Sequence, residues 1–339
     1  MTPPSKSKTG SPRTLSIGGA TFDVFVKADQ SSITEDKGKK MFSFPLGEKI
    51  RVDDVVGTVG GGASNTSVGL ARLGCQASFC GVIGDDQWGS ALMENFRNEG
   101  VDTALATIVE EESTSFSLVL LSHMGERVIL THPGTGRHLQ DATFDRDAAA
   151  NVDAIYLNHI HAESCVIEDD LIDILERHQH IQLMWNPGGR QTGAGLSDEH
   201  NKKLLEHTAI LFVNKEEALE LSGRQSIKEA LDTLSRAGAI IVCITDGPNG
   251  SYATDGKVTL HCPVVPCEVV DAAGAGDAFG TGVTWSILNG QDLPNALRTG
   301  TINAMSVVGV IGAQDGLLTY AAMQEKLTEL TPSLQVTTF

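Results

Sequence analysis

The sequence lacks the features that mark membrane and secreted proteins. No apolar run reaches the roughly 18 residues of a membrane span, and the start of the chain has no signal-peptide core. Six cysteines are present, but none belongs to a Cys-x-x-Cys pair and most lie in apolar runs, which is typical of buried, reduced thiols. These absences predict a soluble, cytoplasmic protein.

Positive charge is scarce. The chain has 25 Lys and Arg residues against 43 Asp and Glu residues, which gives a formal net charge of −18 at pH 7. A surface of this sign repels nucleic acids and anionic membranes, so we exclude both as partners. A protein of this charge that handles phosphates must bind them through backbone amides, a few Arg or Lys side chains and a metal ion.

Two common nucleotide-binding motifs are missing. The chain contains no Gly-x-x-x-x-Gly-Lys-Ser/Thr, and its glycine-bearing stretch 271–282 does not have the Rossmann spacing. P-loop enzymes and nicotinamide-dependent dehydrogenases are therefore disfavoured.

What is present predicts one large α/β domain. A chain of 339 residues can bury a large core. From residue 154 onward, strand-like and helix-like runs alternate, which is typical of a parallel sheet covered by helices, with ligands bound at the carboxyl ends of the strands. We assign residues 1–13 to a disordered leader, 14–330 to this domain and 331–339 to a C-terminal tail.

Strand-like runs in the first half of the chain interrupt the alternation. They predict a small β-sheet lid that stands off the main sheet, with segments at about 26–59 and 113–133. The polar residues 28–40, within the first segment, predict a loop.

The stretch 271–282 is the strongest candidate for catalysis. It follows an apolar run, residues 264–270, that predicts a strand, and it precedes a run that predicts a buried helix. Residues 274–276 would then lie at a helix start, where unpaired amides and the helix dipole bind anions. Asp277 is suited to act as the base that accepts a proton from an attacking hydroxyl. The alternative, an Asp that only caps the helix, remains open.

Two glycine motifs in this order resemble the signatures of a known family. The first is Gly61-Gly62-Ala63-Ser64-Asn65, and the second is the stretch from Asp271 to Gly282. Over about residues 15–330 the chain resembles the ribokinase-like, or pfkB, carbohydrate kinases. The resemblance implies a doubly wound, mostly parallel α/β sheet flanked by helices, with a small β-sheet lid. It also implies Mg²⁺-dependent transfer of a phosphoryl group from ATP to a hydroxyl of a small sugar or sugar-like substrate.

The resemblance also implies roles for individual residues. Asp277 is the implied catalytic base, beside an anion hole at Gly274, Ala275 and Gly276. The implied substrate-binding residues are Asp23, Gly61, Gly62 and Asn65. The implied nucleotide-binding residues are Asn214, Thr245, Gly247, Gly250, Asn303 and Gly312.

Two implied roles involve metal ions. Glu217 would order Mg²⁺ through a water molecule, and Asp271 is a candidate ligand for K⁺. The Asn214-x-x-Glu217 pattern also has an ordinary alternative, in which Asn214 is a helix cap and the pattern has no Mg²⁺ role. The sequence departs from the second signature at Ala272 and Ala273, where Thr or Ser is common, and at Thr281, where a smaller residue is usual.

Several alternatives stay open. The substrate is a sugar or a nucleoside of the adenosine or inosine type, and a catalytically silent sugar- or nucleotide-binding regulator would have the same fold. Arg127 would contact a substrate phosphate or be a solvated lid charge, and Arg190 would neutralise the transferring phosphate or be a solvated loop charge. Exposed strand edges in the lid favour a homodimer formed through it.

Overall fold

Ten strands form one large sheet in the computed structural model of this chain. The structure describes residues 10–28, 33–36, 39–122, 127–138, 145–160 and 166–339. The spatial order of the large sheet is β16 (Thr337–Thr338), β15 (Thr259–Cys262), β14 (Ser251–Thr254), β13 (Ile241–Thr245), β12 (Thr208–Asn214), β11 (Gln182–Trp185), β10 (Ala154–Leu157), β1 (Arg13–Ile17), β6 (Gln76–Gly84) and β7 (Asp102–Val109). The seven strands from β7 to β13 are parallel, and β13 to β16 are antiparallel.

A second sheet has four strands, and we call it the lid. Its order is β5 (Val52–Gly60), β2 (Thr21–Ala28), β8 (Ser115–Leu121) and β9 (Arg127–His132). The central pair, β2 and β8, is parallel, and the two outer pairs are antiparallel. The lid therefore begins at Thr21, a few residues before the predicted first segment. A separate hairpin of β3 (Ile33–Asp36) and β4 (Lys39–Phe42) occupies part of the stretch for which we predicted a loop.

Helices cover both faces of the large sheet. They are α1 (Gly62–Arg72), α2 (Gln87–Asn98), α3 (Arg146–Ala149), α4 (Val166–Arg177), α5 (Gly189–Ala194), α6 (Glu199–His207), α7 (Lys215–Ser222), α8 (Ile227–Arg236), α9 (Ala275–Leu288), α10 (Leu293–Val308) and α11 (Tyr320–Leu330). Alternate strand residues face opposite layers. On β11, Trp185 lies in the core under α4, α6 and α8, and Met184 lies in the core under α9 and α10. The doubly wound arrangement that the family resemblance implies is confirmed.

Helix α9 is the most enclosed helix near the predicted site. Every residue from Ala278 to Leu288 is buried, which its small and apolar sequence permits. A Cβ added at Gly282 would lie 2.8 Å from the Cα of Gly300 on α10, so the two helices approach to backbone contact. This packing fixes the position of the α9 N-terminus relative to the sheet.

The strand predicted at residues 264–270 is wrong. Residues 263–269 form no strand, and the strands of this region are β14 and β15, just before it. Pro263 and Pro266 have no backbone N–H to donate to a neighbouring strand. Val269 and Val270 are exposed, so the apolar composition of this run does not reflect a core position.

The first and last strands of the large sheet lie near the two ends of the chain. Strand β1 begins at Arg13, the last residue of the predicted leader, and residues 1–9 of that leader lie outside the described residues. The segment predicted as a tail is ordered against the fold. Leu334 is fully buried, and β16 adds an edge strand to β15. No helix in the described part of the chain is long and apolar enough to cross a membrane.

Candidate active site

The N-terminus of α9 forms the floor of the site. The helix begins after Gly274, whose φ of 73° is left-handed and whose added Cβ would lie 2.5 Å from the Cβ of Ala313. Gly276 is exposed, and a Cβ added there would have no neighbour within 4 Å. In the part of the chain that the structure describes, no protein acceptor is bonded to the amides of Gly276 and Asp277. These amides are therefore available to an anion.

Asp277 lies in the first turn of α9 beside these amides. Its Oδ2 accepts a hydrogen bond from Nδ2 of Asn65 over 2.8 Å. Burial raises the pKa of Asp277 to about 6, and the negative charge of Glu217 acts in the same direction, whereas the Asn65 hydrogen bond lowers it. A carboxylate with this pKa is suited to accept a proton near neutral pH.

The cap of α9 does not involve Asp277. The N-cap residue is Gly274, and it makes no side-chain cap bond. The carboxylate of Asp277 instead reaches Asn65 on another helix. This geometry argues against the alternative in which Asp277 serves only as a helix cap.

Asn65 lies in the first turn of α1, which the glycine motif begins. Gly61 has a φ of 94°, and a Cβ there would lie 2.7 Å from the Cα of Ala20; a Cβ at Gly62 would lie 3.1 Å from Oδ1 of Asn158. Position 61 therefore requires glycine, and a side chain at position 62 would require Asn158 to shift. Asn65 is buried with 3% exposure, and it faces Asp277 across the site.

Asp23 enters the site from the lid. It lies on β2 between Thr58 of β5 and Ser117 of β8. Burial raises the pKa of Asp23, a hydrogen bond with Ser117 lowers it, and the negative charge of Asp271 raises it again. A Cβ at Gly60 would lie 2.3 Å from Oδ2 of Asp23, so glycine at that position leaves room for the carboxylate.

Asp271 joins the lid to the segment that precedes α9. Its side chain is 1% exposed, and its Oδ1 accepts hydrogen bonds from Nη1 of Arg127 over 2.5 Å and from the amide of Ala273 over 3.0 Å. Its Oδ2 accepts from the amide of Gly312 over 3.3 Å. The guanidinium of Arg127 thus supplies the positive charge that a K⁺ ion would supply, so this carboxylate does not fit a K⁺ site. Arg127 is not a solvated lid charge.

A cleft on the other side of α9 contains two of the six predicted nucleotide-binding residues, Asn214 and Thr245. Its lining includes Asn186, Asn214, Glu217, Thr245, Gly276 and Phe279. The floor of this cleft is the same helix start that carries Asp277. Asn65 and this cleft therefore both adjoin the first turn of α9.

Asn214 and Glu217 form a capping box at the start of α7. The side chain of Asn214 accepts from the amide of Glu217 over 2.9 Å, and Oε2 of Glu217 accepts from the amide of Asn214 over 2.8 Å. The capping alternative for Asn214 is what the structure contains. Burial raises the pKa of Glu217. Among the described residues no three His, Cys, Asp or Glu side chains converge on a metal position, so a Mg²⁺ ion here would depend on phosphate and water ligands.

The turn after β13 is built on two glycines. Gly247 and Gly250 have φ values of 49° and 89°, and a Cβ at Gly250 would lie 2.2 Å from the carbonyl oxygen of Cys262. The amide of Asp246 donates to the Gly250 carbonyl oxygen over 2.8 Å. Gly247 is exposed, and a Cβ added there would have no neighbour within 4 Å. Its backbone is therefore accessible to a nucleotide phosphate.

Two further predicted nucleotide-binding residues lie inside the fold. Asn303 is fully buried: its Nδ2 donates to the Ala278 carbonyl oxygen and to Thr281 Oγ1, and its Oδ1 accepts from the amide of Leu318. This hydrogen-bonding also gives Thr281 a structural role. The amide of Gly312 donates a hydrogen bond to Asp271, and Gly312 packs against Thr58 of the lid. Neither residue lines the cleft, because both are used inside the fold.

Some residues important for the site carry no motif signal. Gln314 is buried and donates to Oδ1 of Asn65 over 3.2 Å, and nothing in the spacing of the sequence marks it. Arg127 was named as a candidate, but its partner Asp271 lies 144 positions away, and sequence spacing does not report such a pairing. Arg190, another candidate, places Nη2 2.9 Å from both carboxylate oxygens of the buried Glu168.

Comparison with known proteins agrees with this geometry. A sequence profile of the pfkB family of carbohydrate kinases matches residues 32–319. The chain is 27% identical to a ribokinase of Bacillus subtilis over 316 residues, which cover 92% of this chain and 98% of that protein. It is 27% identical to a nucleoside kinase of Methanocaldococcus jannaschii over 270 residues, which cover 79% of this chain and 85% of that protein.

The fold is shared with solved structures. The structure of Arabidopsis thaliana ribokinase complexed with ribose and ATP superimposes with a TM-score of 0.77 at 20% identity, covering 94% of this chain and 99% of that one. Similarity at this identity establishes the architecture. Since the family profile spans most of the sequence and both signature motifs meet at the start of α9, the chain belongs to the pfkB family of carbohydrate kinases.

Proposed function

We propose that the protein transfers the γ-phosphoryl group of ATP to a hydroxyl group of a sugar or nucleoside, with Asp277 as the general base. The observation that carries this proposal is the position of Asp277. Its carboxylate is held by Asn65 at the point where the space facing Asp23 meets the cleft lined by Asn214 and Thr245. The ribokinase of Bacillus subtilis, the nucleoside kinase of Methanocaldococcus jannaschii and the Arabidopsis ribokinase complexed with ribose and ATP support this class of reaction.

The reaction follows from these positions. The acceptor hydroxyl donates its proton to Asp277 as its oxygen attacks the γ-phosphorus, and the bond from that phosphorus to the β–γ bridging oxygen breaks to release ADP. Asp23 and Asn65 bind other hydroxyls of the acceptor, since a carboxylate and an amide each make directional bonds to a diol. The amides of Gly276 and Asp277 face the negative charge that develops on the transferring group. The lid closes over the acceptor and excludes water as a competing acceptor.

Magnesium fits one side of the cleft. Glu217 is half-buried and lies near Asp277, and the residues that the structure describes provide too few neighbouring ligands for a protein-only metal site. This suits an ion held by nucleotide phosphates and ordered by Glu217 through water. Such an ion would neutralise charge on the β- and γ-phosphates. Potassium is not part of the proposal, because Arg127 already compensates Asp271.

The charges around the acceptor space favour an uncharged substrate. Asp23 and Asp277 both face it, and the nearby guanidinium of Arg127 is bonded to Asp271. A phosphate on the acceptor would meet these carboxylates without a compensating cation from Arg127. We therefore expect a neutral sugar or nucleoside to react faster than a phosphorylated sugar.

The test is ATP consumption with a panel of free sugars, sugar acids, phosphosugars and nucleosides, using the wild type and Asp277→Asn. A single strong acceptor identifies the substrate class and separates sugar from nucleoside kinase. With that acceptor, D277N should lose about 10²–10⁴-fold in turnover, the scale of general-base catalysis, and still bind ATP in calorimetry. Glu216→Gln, an exposed change next to Glu217, is the control and should keep full turnover.

Two outcomes would contradict the proposal. Near-full turnover of D277N would remove Asp277 as the base. ATP binding without consumption across the whole panel would favour a catalytically silent binding protein instead.

We also propose that the lid is the contact surface of a homodimer. Its strands alternate, so Asp23 and Arg127 face the active site and the next residues face away. The outward side, which we call the outer lid face, consists of two uncharged apolar rows across the four strands: Val55, Val26, Leu120 and Val128, and Gly57, Val24, Leu118 and Leu130. Val55 and Leu130 are 56% and 53% exposed. A second copy matches such a face, because an apolar surface is complementary to itself.

The thiols support a cytoplasmic location. Cys75, Cys80, Cys243 and Cys262 are free and buried, and burial raises the pKa of Cys75 and Cys80 to about 12. Thiols of this kind are inert and need no oxidising compartment.

A further inference from the structure

Behind the active site, three buried or half-buried amides form a directed chain of hydrogen bonds. Nδ2 of Asn95 on α2 donates to Oε1 of Gln314 over 2.9 Å. Nε2 of Gln314 donates to Oδ1 of Asn65 over 3.2 Å and to Oγ of Ser64 over 2.9 Å. Nδ2 of Asn65 then donates to Oδ2 of Asp277 over 2.8 Å. Gln314 and Asn65 each accept at the side-chain oxygen, and all three amides donate from the nitrogen in the direction of the carboxylate.

This direction matters because a primary amide has a donor end and an acceptor end. If the Asn65 amide turned over, its oxygen would face the Asp277 carboxylate, and two acceptors would oppose each other. An acceptor beside Oδ1 of Asn65 would favour that reversed orientation, whereas the donor from Gln314 excludes it. Gln314 is itself fixed: it is 3% exposed, and its backbone carbonyl oxygen accepts from Nη1 of Arg72 over 2.7 Å.

We propose that Gln314 is a positioning residue that holds the Asn65 amide with its Nδ2 toward Asp277. This inference rests on the proposed role of Asp277 as the base. Gln314 lies between α10 and α11 and does not touch Asp277, so it acts through Asn65. Donation to the carboxylate favours its ionised form, which is the form that accepts the substrate proton.

Other charged groups near the chain of amides act on the same titration. Asp277 also faces Glu217 of α7 and the phenol of Tyr156 on β10. Burial raises the pKa of the Glu217 carboxyl and that of the Tyr156 phenol. Arg72 beside Gln314 is paired with Glu99 and lies near Asp315. An effect of Gln314 must therefore be separated from these groups by showing that it passes through Asn65.

The experiment is the pH dependence of kcat/KM with the acceptor found in the panel. The wild-type acid limb should lie near pH 6. Gln314→Met removes the donor without adding charge, and it should move this limb about one unit to higher pH, the size expected when a hydrogen bond to a charged group is lost. Gln314→Glu replaces the donor by an acceptor of the same shape and should move the limb further in the same direction.

Two comparisons distinguish positioning from a structural role. Ser64→Ala deletes the other hydrogen bond of Gln314 Nε2, so it should lower thermal stability to a similar degree and leave the pH profile in place. In an Asn65→Ala background, Gln314→Met should cause no further shift, because the two residues act in series. A wild-type pH profile in both Gln314 variants, or an additive shift in the double variant, would overturn this inference.

Failure of the inference is distinguishable from failure of the proposed function. If D277N loses turnover and Q314M keeps the wild-type profile, Asp277 remains the base and Gln314 is structural. If D277N keeps turnover, both proposals fall together.

Discussion

The unusual environment of Asp277 has a consequence for stability as well as for catalysis. Burial raises its pKa from an ordinary 3.8 to about 6, so the folded chain holds this proton more tightly than the unfolded chain does. The contribution of Asp277 to the free energy of unfolding is therefore fully present below pH 3.8 and is lost as pH rises through about 6. At pH 7 the ionised carboxylate costs the fold on the order of 3 kcal/mol at most.

Asp277→Asn should accordingly be more stable than the wild type at pH 7, and the gain should shrink toward pH 4. The amide is neutral at both pH values and avoids the cost of burying a charge. Thermal unfolding at the two pH values measures this difference. Glu216→Gln serves as the exposed control with no pH-dependent gain, and equal stability of D277N and wild type at pH 7 would contradict the expectation.

The two glycines at the start of α9 should respond differently to the same substitution. Gly274→Ala should lower the free energy of unfolding by about 1–3 kcal/mol, because its left-handed φ disfavours a side chain and the new methyl group would overlap Ala313. Gly276→Ala should leave stability within about 0.5 kcal/mol, since its methyl group enters open space.

The same pair tests the anion site. The space above Gly276 is where the transferring phosphoryl group would approach, so G276A should lower turnover at least about tenfold while the protein stays folded. Urea unfolding and steady-state kinetics of both variants give the comparison. Full turnover in G276A would show that this amide does not meet the phosphate.

At the scale of elements, the ion pair of Arg127 with Asp271 joins β9 to the segment before α9. Arg127→Met should lower the free energy of unfolding by about 1–3 kcal/mol, less than for a fully buried pair because Arg127 is 35% exposed. The cost arises because the Asp271 carboxylate would stay buried without its cation. Asp271→Asn in the same chain should recover much of the loss, since no charge is then left uncompensated.

A double-mutant cycle in urea measures this coupling. We expect a coupling free energy of about 1 kcal/mol or more between Arg127 and Asp271. Additive effects of the two substitutions would show that the ion pair does not hold the lid.

Element boundaries were predicted best where a local signal marks them. Helix α10 begins at Leu293, directly after Asp292, whose side chain caps its first turn through the amide of Asn295. Strands β14 and β15 have four residues each, too few to show a clear period of two. A strand was predicted instead in the longer apolar run that follows them, although the prolines of that run prevent regular strand pairing.

At the scale of the whole molecule, the outer lid face predicts the oligomeric state. The wild type should sediment as a dimer, and Val55→Asp combined with Leu130→Lys should sediment as a monomer, because each change places a charge in the apolar rows. Ile108→Lys is the control: Ile108 is 47% exposed on β7, outside the lid, and it should leave the dimer intact. A monomeric wild type would contradict the proposal.

The general architecture and the position of Asp277 were predictable because they depend on local patterns. Alternating strands and helices indicate a parallel sheet, and two glycine motifs mark the starts of α1 and α9. The pairings of Asp271 with Arg127 and of Gln314 with Asn65 were not predictable, since they depend on how distant segments pack. The same limit explains Asn303, for which the family resemblance implied a nucleotide contact and whose buried hydrogen bonds join α10 to α9.

The hydrogen bond between Asn65 and Asp277 also bears on how the enzyme matures. It joins residues 212 positions apart, and Gln314 reaches back 250 positions to Ser64. Contacts of such separation require closure of very long loops and form slowly. A nascent or partly refolded chain can already contain helices and much of the sheet while its base is still unsupported. Recovery of turnover is therefore a stricter reporter of complete folding than any signal from secondary structure.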